Sequence, residues 1–290
     1  MRIDLHAHST ASDGTDSPAQ LVEAAAQAGL DMVAITDHDS TAGWAEAETA
    51  ARRLGIGLVR GIEVSTQSNG ISVHMLGYLH DPHHPGLLAE LEKARVSRGS
   101  RAQRIVELLA RDVPLTWADV RAQVSDGATI GRPHIADALV AKGVVPDRDT
   151  AFRDYLYTGS PYYAKYYAVD SVRAVQLIRE AGGVAVMAHP FAAKRGRIVS
   201  DRDIAHMADA GLFALEAHHP EHTPEQVDKA VRLAAELDLP VTGSSDYHGT
   251  GKANRLGERL TDPEVLAALE AAASATAVIP GRTATGPQHE

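Results

Sequence analysis

The sequence predicts an α/β barrel that is interrupted by a helical insertion. Short apolar runs alternate with helical patterns over the first 80 residues and again after residue 170, and this alternation is typical of βαβ units with a parallel sheet. Seven or eight such strands favour a barrel over an open sheet. Between residues 81 and 165 the helical patterns continue without a convincing strand, which indicates an inserted cap.

The elements can be assigned in chain order. The first helix has Ser17 as its N-cap, Pro18 at its first position and Gly29 as its stop. Strands are predicted at 3–5, 32–36, 58–64, 71–79, 184–188, 213–217, 241–244 and 277–279. Helices of the barrel are predicted at 18–28, 41–54, 171–181, 200–210, 224–237 and 263–273, and helices of the cap at 86–111, 117–124, 134–142 and 149–156. We therefore assign residues 1–80 and 166–280 to the barrel, 81–165 to the cap and 281–290 to a loose tail.

Composition limits the classes of function. The formal net charge of −10 argues against a general binding surface for DNA or for anionic membranes. The sequence has no cysteine, so any metal must be held by nitrogen and oxygen ligands, which suits Mn, Fe, Zn, Mg or Co. The N-terminus has no signal-peptide pattern, and no apolar run approaches the roughly 18 residues of a membrane span. We therefore expect a cytoplasmic protein, and we leave its oligomeric state open.

Metal-binding residue types follow five of the predicted strands. In parallel α/β proteins the carboxyl ends of the strands are where active sites lie. One His-x-His pair by itself is equally well explained as two satisfied core histidines, but five strand ends of the same chemical type indicate a shared metal site. The strand-end residues are His6 and His8, then Asp37, His38 and Asp39, then Glu63, then His189, and finally Asp246 and His248.

The charges of this cluster point to hydrolysis. Asp13, Glu63 and Asp246 would place three negative charges in one pocket, and unpaired buried carboxylates are unfavourable by several kcal/mol each. Two or three divalent cations would reverse the sign and suit a phosphate ester. They would also lower the pKa of bound water and so supply a hydroxide nucleophile. The sequence contains no Gly-rich nucleotide loop, which favours hydrolysis over phosphoryl transfer.

The order of these motifs resembles the polymerase and histidinol phosphatase (PHP) superfamily. The resemblance is carried by DLHAHS at 4–9, SDGT at 12–15, ITDHD at 35–39, GIEV at 61–64, AHP at 188–190 and SSDYH at 244–248. It implies a distorted (β/α)7 barrel with three metal ions, usually Mn, Fe or Zn. It also implies that Asp4 and Asp37 orient ligand imidazoles. The implied ligands are His6, His8, Glu63 and Asp246 for one ion, Glu63, His74 and His189 for a second, and Asp13, His38 and His248 for a third.

The insertion narrows the resemblance to one branch of the superfamily. RGSR at 98–101 and IGRPH at 130–134 resemble the branch with an inserted helical domain. That branch implies a nucleoside 3′,5′-bisphosphate phosphatase, or a 5′-to-3′ exoribonuclease acting on short RNA. A histidinol phosphatase or another small-phosphomonoester phosphatase is a further alternative, and a non-catalytic metal or nucleotide-binding module is an alternative of another class.

Residues of the cap are candidates for substrate contacts. Arg98 and Arg101 fall on the apolar face of the predicted 86–111 helix, where they need an anionic partner. A substrate phosphate is one such partner, and a protein carboxylate in a buried ion pair is the other. Arg132 and His134 precede a predicted helix, a position that favours anions. We expect Arg98, Arg101, Arg132 and His134 to bind substrate, and His134, Arg132 and Asp37 to contribute to catalysis, with His134 as a proton donor.

Other polar residues near the strand ends carry weaker signals. We interpret Lys194, Arg195 and Arg197 as a solvated loop. Core packing is the simplest explanation for most of the tyrosines around Tyr163, although that ring could stack on a base. One histidine among 218, 219 and 222 could line the site, but the sequence does not indicate which.

Overall fold

The computed structural model describes residues 1–281, and its first 80 residues form one side of a barrel. Ser17 caps the first helix and Gln20 completes a capping box with it, as the sequence predicts for this start. The elements in order are β1 (Ile3–Asp4), α1 (Pro18–Gln27), β2 (Met32–Ile35), α2 (Trp44–Leu54), β3 (Gly57–Ser68) and β4 (Ile71–Tyr78).

The following segment is helical. It contains α3 (Pro85–Leu109), α4 (Trp117–Arg121), α5 (Arg132–Ala141) and α6 (Arg148–Ala151), which continues into one π-helical turn, Phe152–Leu156. These helices pack around an apolar cluster of their own, so the segment has a core apart from that of the barrel. The cap boundaries at 81 and 165 stay a prediction. Members of the cluster include Ala102, Ile105, Leu109, Val120, Ile135 and Leu139.

The alternation of strands and helices then resumes. The elements are β5 (Val169–Asp170), α7 (Ser171–Glu180), β6 (Val184–Met187), α8 (Asp201–Asp209), β7 (Ala214–His218), α9 (Pro224–Glu236), β8 (Val241–Gly243) and α10 (Pro263–Ala272). The predicted strand at 277–279 forms only an isolated bridge between Ile279 and Leu58. Of the predicted tail at 281–290, residues 282–290 lie outside the described residues.

Seven strands form a nearly closed barrel in the order β1-β2-β3-β4-β6-β7-β8, and the short β5 pairs with β3. The two ends of this sheet meet at a bridge between Ala7 and Tyr247, where the backbone N–H of His8 donates to the Tyr247 carbonyl at 2.8 Å. The predicted barrel is therefore confirmed. None of the described helices is both long and apolar enough to span a bilayer.

The prediction of a parallel sheet is wrong at one strand, because β4 runs antiparallel to both β3 and β6. Asn69 and Gly70 connect β3 to β4, with φ values of 50° and 72°. A two-residue turn with two positive φ angles forms a hairpin and leaves no room for a crossover helix. The reversal places His74 opposite Ser65 in mid-strand, so His74 reaches the site from within β4 rather than from its end.

Candidate metal centre and phosphate site

The nine predicted metal ligands converge at the carboxyl ends of the parallel strands. They form several groups in which at least three ligand atoms lie within 4.8 Å of one another, including His6 with His8 and Glu63, and His38 with Glu63 and His74. All but His74 are buried. The other predicted ligands in the cluster are Asp13, His189, Asp246 and His248.

Glu63 lies at the centre of the cluster. Its Oε1 is 2.8 Å from His74 Nδ1 and 3.1 Å from His189 Nε2. Its Oε2 is 3.1 Å from His8 Nε2 and 3.1 Å from His38 Nδ1. Each oxygen therefore faces a different set of imidazoles, so Glu63 would be able to hold more than one cation.

His6 and His8 direct ring nitrogens at each other. Their Nε2 atoms are 3.0 Å apart, and Asp246 Oδ1 lies 3.4 Å from one and 3.3 Å from the other. The Nδ1–H of His6 donates to Glu216 Oε1 at 2.9 Å, which directs Nε2 into the cluster. Burial opposes protonation of His6, but Glu216, Glu63 and Asp246 raise its pKa well above the ordinary value, so a cation would displace a proton from Nε2. Two nitrogens and a carboxylate oxygen at these separations fit around one divalent cation.

A second group of ligand atoms lies around Asp13. Its Oδ2 is 3.8 Å from His38 Nε2, and its Oδ1 is 3.4 Å from His248 Nε2. The Nδ1–H of His248 donates to the Asp246 carbonyl at 2.8 Å, so the Nε2 lone pair faces Asp13.

The protonation states fit a metal site. Burial favours the neutral form of Glu63, but facing His38 and His74 lower its pKa well below the ordinary value. Burial and neighbouring Arg195 lower the pKa of His189 to about 3, so this ring is neutral and offers a lone pair. Burial opposes protonation of His8, yet neighbouring carboxylates raise its pKa to about 9, so a cation has a proton to displace there.

Two atoms of the cluster support the fit directly. Asp246 Oδ1 and His38 Nδ1 are buried without a hydrogen-bond partner among the described residues. Buried polar atoms are normally paired, and one without a hydrogen bond needs an explanation such as an ion. The donor set is entirely imidazole nitrogen and carboxylate oxygen, which suits Mn, Fe or Zn.

The predicted substrate-binding arginines of the cap differ in their partners. Arg98 Nε is 2.9 Å from Asp39 Oδ2, so Arg98 forms the buried ion pair that was the alternative to a phosphate contact. Arg101 Nε donates to the Ala164 carbonyl at 2.9 Å, and Arg132 Nη1 donates to the Leu156 carbonyl at 2.9 Å. Neither has a carboxylate partner in the part of the chain that the structure describes.

The surroundings of Arg101 favour an anion. Its guanidinium lies 4.5 Å from the ring centroid of Tyr166 and 5.4 Å from that of Tyr163. Burial and the nearby positive charge of Arg132 lower the pKa of Arg101 to about 10. Two neighbouring guanidinium groups without an acid are a site where a phosphate would be bound favourably.

Comparison with known proteins identifies the family. A model of the PHP domain matches residues 4–112. The chain is 35% identical over 260 residues to the 3′,5′-nucleoside bisphosphate phosphatase of Chromobacterium violaceum, with 87% of this chain and 89% of that protein covered. It is 36% identical over 248 residues to a 5′-3′ exoribonuclease of Haemophilus influenzae, with 85% and 90% covered.

A solved structure described as a metal-dependent phosphoesterase, from Bifidobacterium adolescentis, superposes with a TM-score of 0.91 at 42% identity, covering 94% of this chain and 96% of that one. The chain is a PHP-family phosphoesterase. The non-catalytic alternative is therefore set aside.

The cluster of this phosphoesterase also contacts residues that the sequence did not single out. Glu216, a lone acid within β7, holds His6 and accepts the backbone N–H of His189 at 2.8 Å. His219 is the site-lining member of its histidine group, since it is fully buried with Nε2 3.4 Å from Asp246 Oδ2. Lys252 Nζ lies 2.7 Å from the same Asp246 oxygen.

The interpretation of Arg195 as part of a solvated loop is wrong. A short 3₁₀ turn, Ala193–Arg195, folds the loop after β6 back over the phosphoesterase cluster. Arg195 Nη1 donates to His189 Nε2 at 2.9 Å, and the same side chain pairs with Asp246 and Glu221. Lys194 and Arg197 are exposed, as expected.

The expected contacts of Asp4 and Asp37 with ligand imidazoles are absent from the described residues. Asp4 accepts the backbone N–H of Ser245 at 3.0 Å and that of Gly257 at 2.8 Å. Asp37 accepts hydrogen bonds from Ser9 and Ser12, and reaches His8 only through Ser12. In the phosphoesterase these two carboxylates hold loops that carry ligands, and the predicted contribution of Asp37 to catalysis stays a prediction.

His134 lies at the start of α5, buried beside the Asp13 loop. Its Nδ1 accepts the Gly131 backbone N–H at 3.1 Å, so the ring carries its proton on Nε2. Burial lowers its pKa, which keeps the ring neutral. His134 also lines a cavity of about 420 Å³ together with Ser12, Asp137 and Arg148.

Proposed function

We propose that this phosphoesterase hydrolyses a phosphate monoester of a small nucleotide, with a nucleoside 3′,5′-bisphosphate as the leading substrate. The products would be a nucleoside 5′-monophosphate and phosphate. The observation that carries the proposal is a carboxylate–imidazole cluster together with two arginines, Arg101 and Arg132, that lack an acid partner among the described residues. The charge of Arg98, which pairs with Asp39, acts on both arginines, and that of Arg195, which pairs with Asp246, acts on Arg132. A substrate with two phosphates suits both regions at once.

The nine residues of the cluster would hold two or three divalent ions, with Mn, Fe or Zn as candidates. When bound, these ions supply charge neutralisation on the phosphate oxygens and lower the pKa of water. The side chains of the protein position the ester. Arg101 and Arg132 would bind the phosphate that does not react, and their forked guanidinium groups match its oxygens.

His134 would protonate the leaving group. Cleavage breaks the P–O3′ bond, water contributes its oxygen to phosphorus, and the departing 3′ oxygen requires a proton. Donation of this proton requires the imidazolium form of His134, so the ring would take up a proton from solvent before each cleavage and return to the neutral form, which its lowered pKa favours, on giving it to the departing oxygen. This assignment rests on the ring's position beside Asp13.

Trimming of short RNA from the 5′ end is the second candidate. Tyr163 and Tyr166 lie against Arg101, and aromatic faces next to a phosphate site suit the stacking of a base. The Haemophilus influenzae relative bears the name of such an activity. The net charge of −10 favours short substrates over long ones.

One assay separates these candidates. Mn-loaded protein is given adenosine 3′,5′-bisphosphate and a 5′-phosphorylated RNA dinucleotide, and the products are identified by mass. AMP and phosphate from the first substrate alone support the mononucleotide phosphatase. Comparable release of nucleotide from the dinucleotide supports the exoribonuclease. Turnover of neither by metal-loaded protein contradicts the nucleotide proposal and directs attention to histidinol phosphate and sugar phosphates. The matched control is Asp246→Asn with its metal content measured.

A further inference from the structure

Arg148 of the cap reaches a loop that carries a predicted metal ligand. Its side chain is mostly buried at the start of α6. Nε and Nη2 donate to the two carboxylate oxygens of Asp137 on α5, at 2.5 and 2.6 Å. Nη1 donates to the backbone carbonyl of Asp13 at 3.3 Å. The guanidinium is thus bound to the cap through Nε and Nη2, while Nη1 contacts the Asp13 loop.

The same guanidinium packs on the turn after His248. A methyl group built on Gly251 would lie 2.1 Å from Arg148 Nη1 and 2.8 Å from its Cζ. The backbone N–H of Gly251 donates to the His248 carbonyl at 3.2 Å. Gly251 does not have a positive φ, so the close contact with Arg148, and not backbone conformation, is what a side chain there would disturb.

These two loops lie on opposite sides of the barrel seam. Asp13 follows β1 and His248 follows β8, and the two strands are joined by the isolated bridge between Ala7 and Tyr247. Asp13 Oδ1 lies 3.4 Å from His248 Nε2 across this seam. Because ladder pairing is minimal here, the separation of the two ligands depends on other contacts, which include the hydrogen bond from the Thr15 backbone N–H to the His248 carbonyl at 3.2 Å and the guanidinium of Arg148.

We propose that Arg148 is a positioning residue that braces this seam and sets the spacing of Asp13 and His248 for the cation they share with His38. The inference rests on the proposed metal-dependent function. Groups that orient ligands without touching the metal commonly change its affinity by about 10- to 100-fold when removed. Arg148 would orient the two ligands by contacting backbone atoms of their loops, while Asp137 fixes the position of its guanidinium.

The test is a titration of metal-free protein with Mn, with the ions bound per chain measured by mass spectrometry and calorimetry. Arg148→Met should weaken the last ion about 10- to 100-fold and leave the others unchanged. Gly251→Ala should have the same effect by displacing the guanidinium, and the double variant should be no weaker than Arg148→Met. Arg148→Lys keeps the charge but loses the fork, so we expect only partial recovery.

The matched control is Arg153→Met, which removes an exposed arginine from the same segment. Three ions bound with unchanged affinity in Arg148→Met would overturn the inference, and so would equal weakening of every ion or additive effects in the double variant. A wild-type protein that hydrolyses substrate with only two ions overturns the inference but leaves the proposed function standing. A protein that binds three ions and hydrolyses neither substrate contradicts the proposed function, while the titration still decides the role of Arg148.

Discussion

The barrel and the cap contribute charges of opposite sign to the site. On the barrel side Asp13, Glu63 and Asp246 are buried among imidazoles, and two atoms of the cluster lack hydrogen-bond partners among the described residues. On the cap side, the hydrogen-bond and aromatic partners of Arg101 and Arg132 within residues 1–281 are carbonyls and aromatic rings. The first region needs cations and the second needs an anion, so a phosphate ester held between metals and arginines satisfies both.

A similar contrast exists within the cap, between an arginine that is paired with a carboxylate and one that is not. Arg98 and Arg101 are three residues apart on α3, yet Arg98 pairs with Asp39 while Arg101 stacks on Tyr166. The positive charge alone therefore does not identify a substrate contact. What distinguishes the two is whether the protein itself supplies the carboxylate.

The largest effect is expected from Glu63→Gln, a substitution in the negatively charged cluster of the barrel. Loss of the central negative charge removes the carboxylate that faces both sets of imidazoles. We expect turnover to fall on the order of a thousandfold and at least one metal ion per chain to be lost. Steady-state kinetics and metal analysis measure this, with exposed Glu107→Gln as the control. Full metal content with wild-type turnover would show that the cluster is not the active site.

The second effect concerns Arg98, the arginine whose charge is balanced by Asp39. Arg98→Met would leave Asp39 buried without a charge partner, which should destabilise the fold by about 3–5 kcal/mol. Asp39→Asn in the same background should restore much of that loss, since Asn tolerates the positive φ of 51° at this position. Urea unfolding of the single and double variants measures both. If Asp39→Asn restored nothing, the ion pair would not be the source of the loss.

The sequence predicted the site better than its supporting contacts. Each of the nine predicted ligands lies in or directly after a strand or its following loop, so local pattern was sufficient to bring them to one end of a barrel. The reversal of β4 also has a local signal in Asn69-Gly70, a pair that is typical of a two-residue hairpin turn.

Contacts between distant segments had no such signal. Arg195 pairs with Asp246, 51 residues away, and His6 pairs with Glu216, 210 residues away. Periodicity describes one element at a time and does not specify which loop folds back over which strand. A lone acid in an otherwise apolar strand, as at Glu216, is a local signal for such a contact, because a buried carboxylate requires a partner.

A smaller effect is expected away from the metal-ligand cluster, at His80, which is buried and has Asp81 as its one charged neighbour among the residues that the structure describes. Burial lowers its pKa to about 4. The unfolded chain, with a pKa near 6.5, therefore binds more protons between pH 6.5 and 4, so stability falls as the pH is lowered through that window. Relative to wild type, His80→Leu should gain about 2 kcal/mol between pH 7 and 5. Urea unfolding at both pH values measures it.

Exposed His206→Leu is the control for that substitution. An unchanged difference between His80→Leu and wild type at the two pH values would mean that His80 titrates normally in the folded protein. In that case burial without a cluster of neighbouring charges would not be sufficient to shift the pKa of a histidine in this protein.

The smallest effect is expected at Arg101, and it tests directly whether the cap binds a phosphate. Arg101→Met removes one of two guanidinium groups without an acid partner, so the KM for a nucleoside bisphosphate should rise about tenfold while kcat changes little. Stability should hold or rise slightly, because the repulsion from Arg132 is relieved. Arg104→Met on the same helix, where the side chain is exposed and paired with Glu107, should leave both parameters unchanged. A monophosphate without the second phosphate should show no difference between wild type and Arg101→Met. If the KM for the monophosphate rose equally, Arg101 would contact the reacting phosphate. The role of the cap would then not be limited to binding the second phosphate.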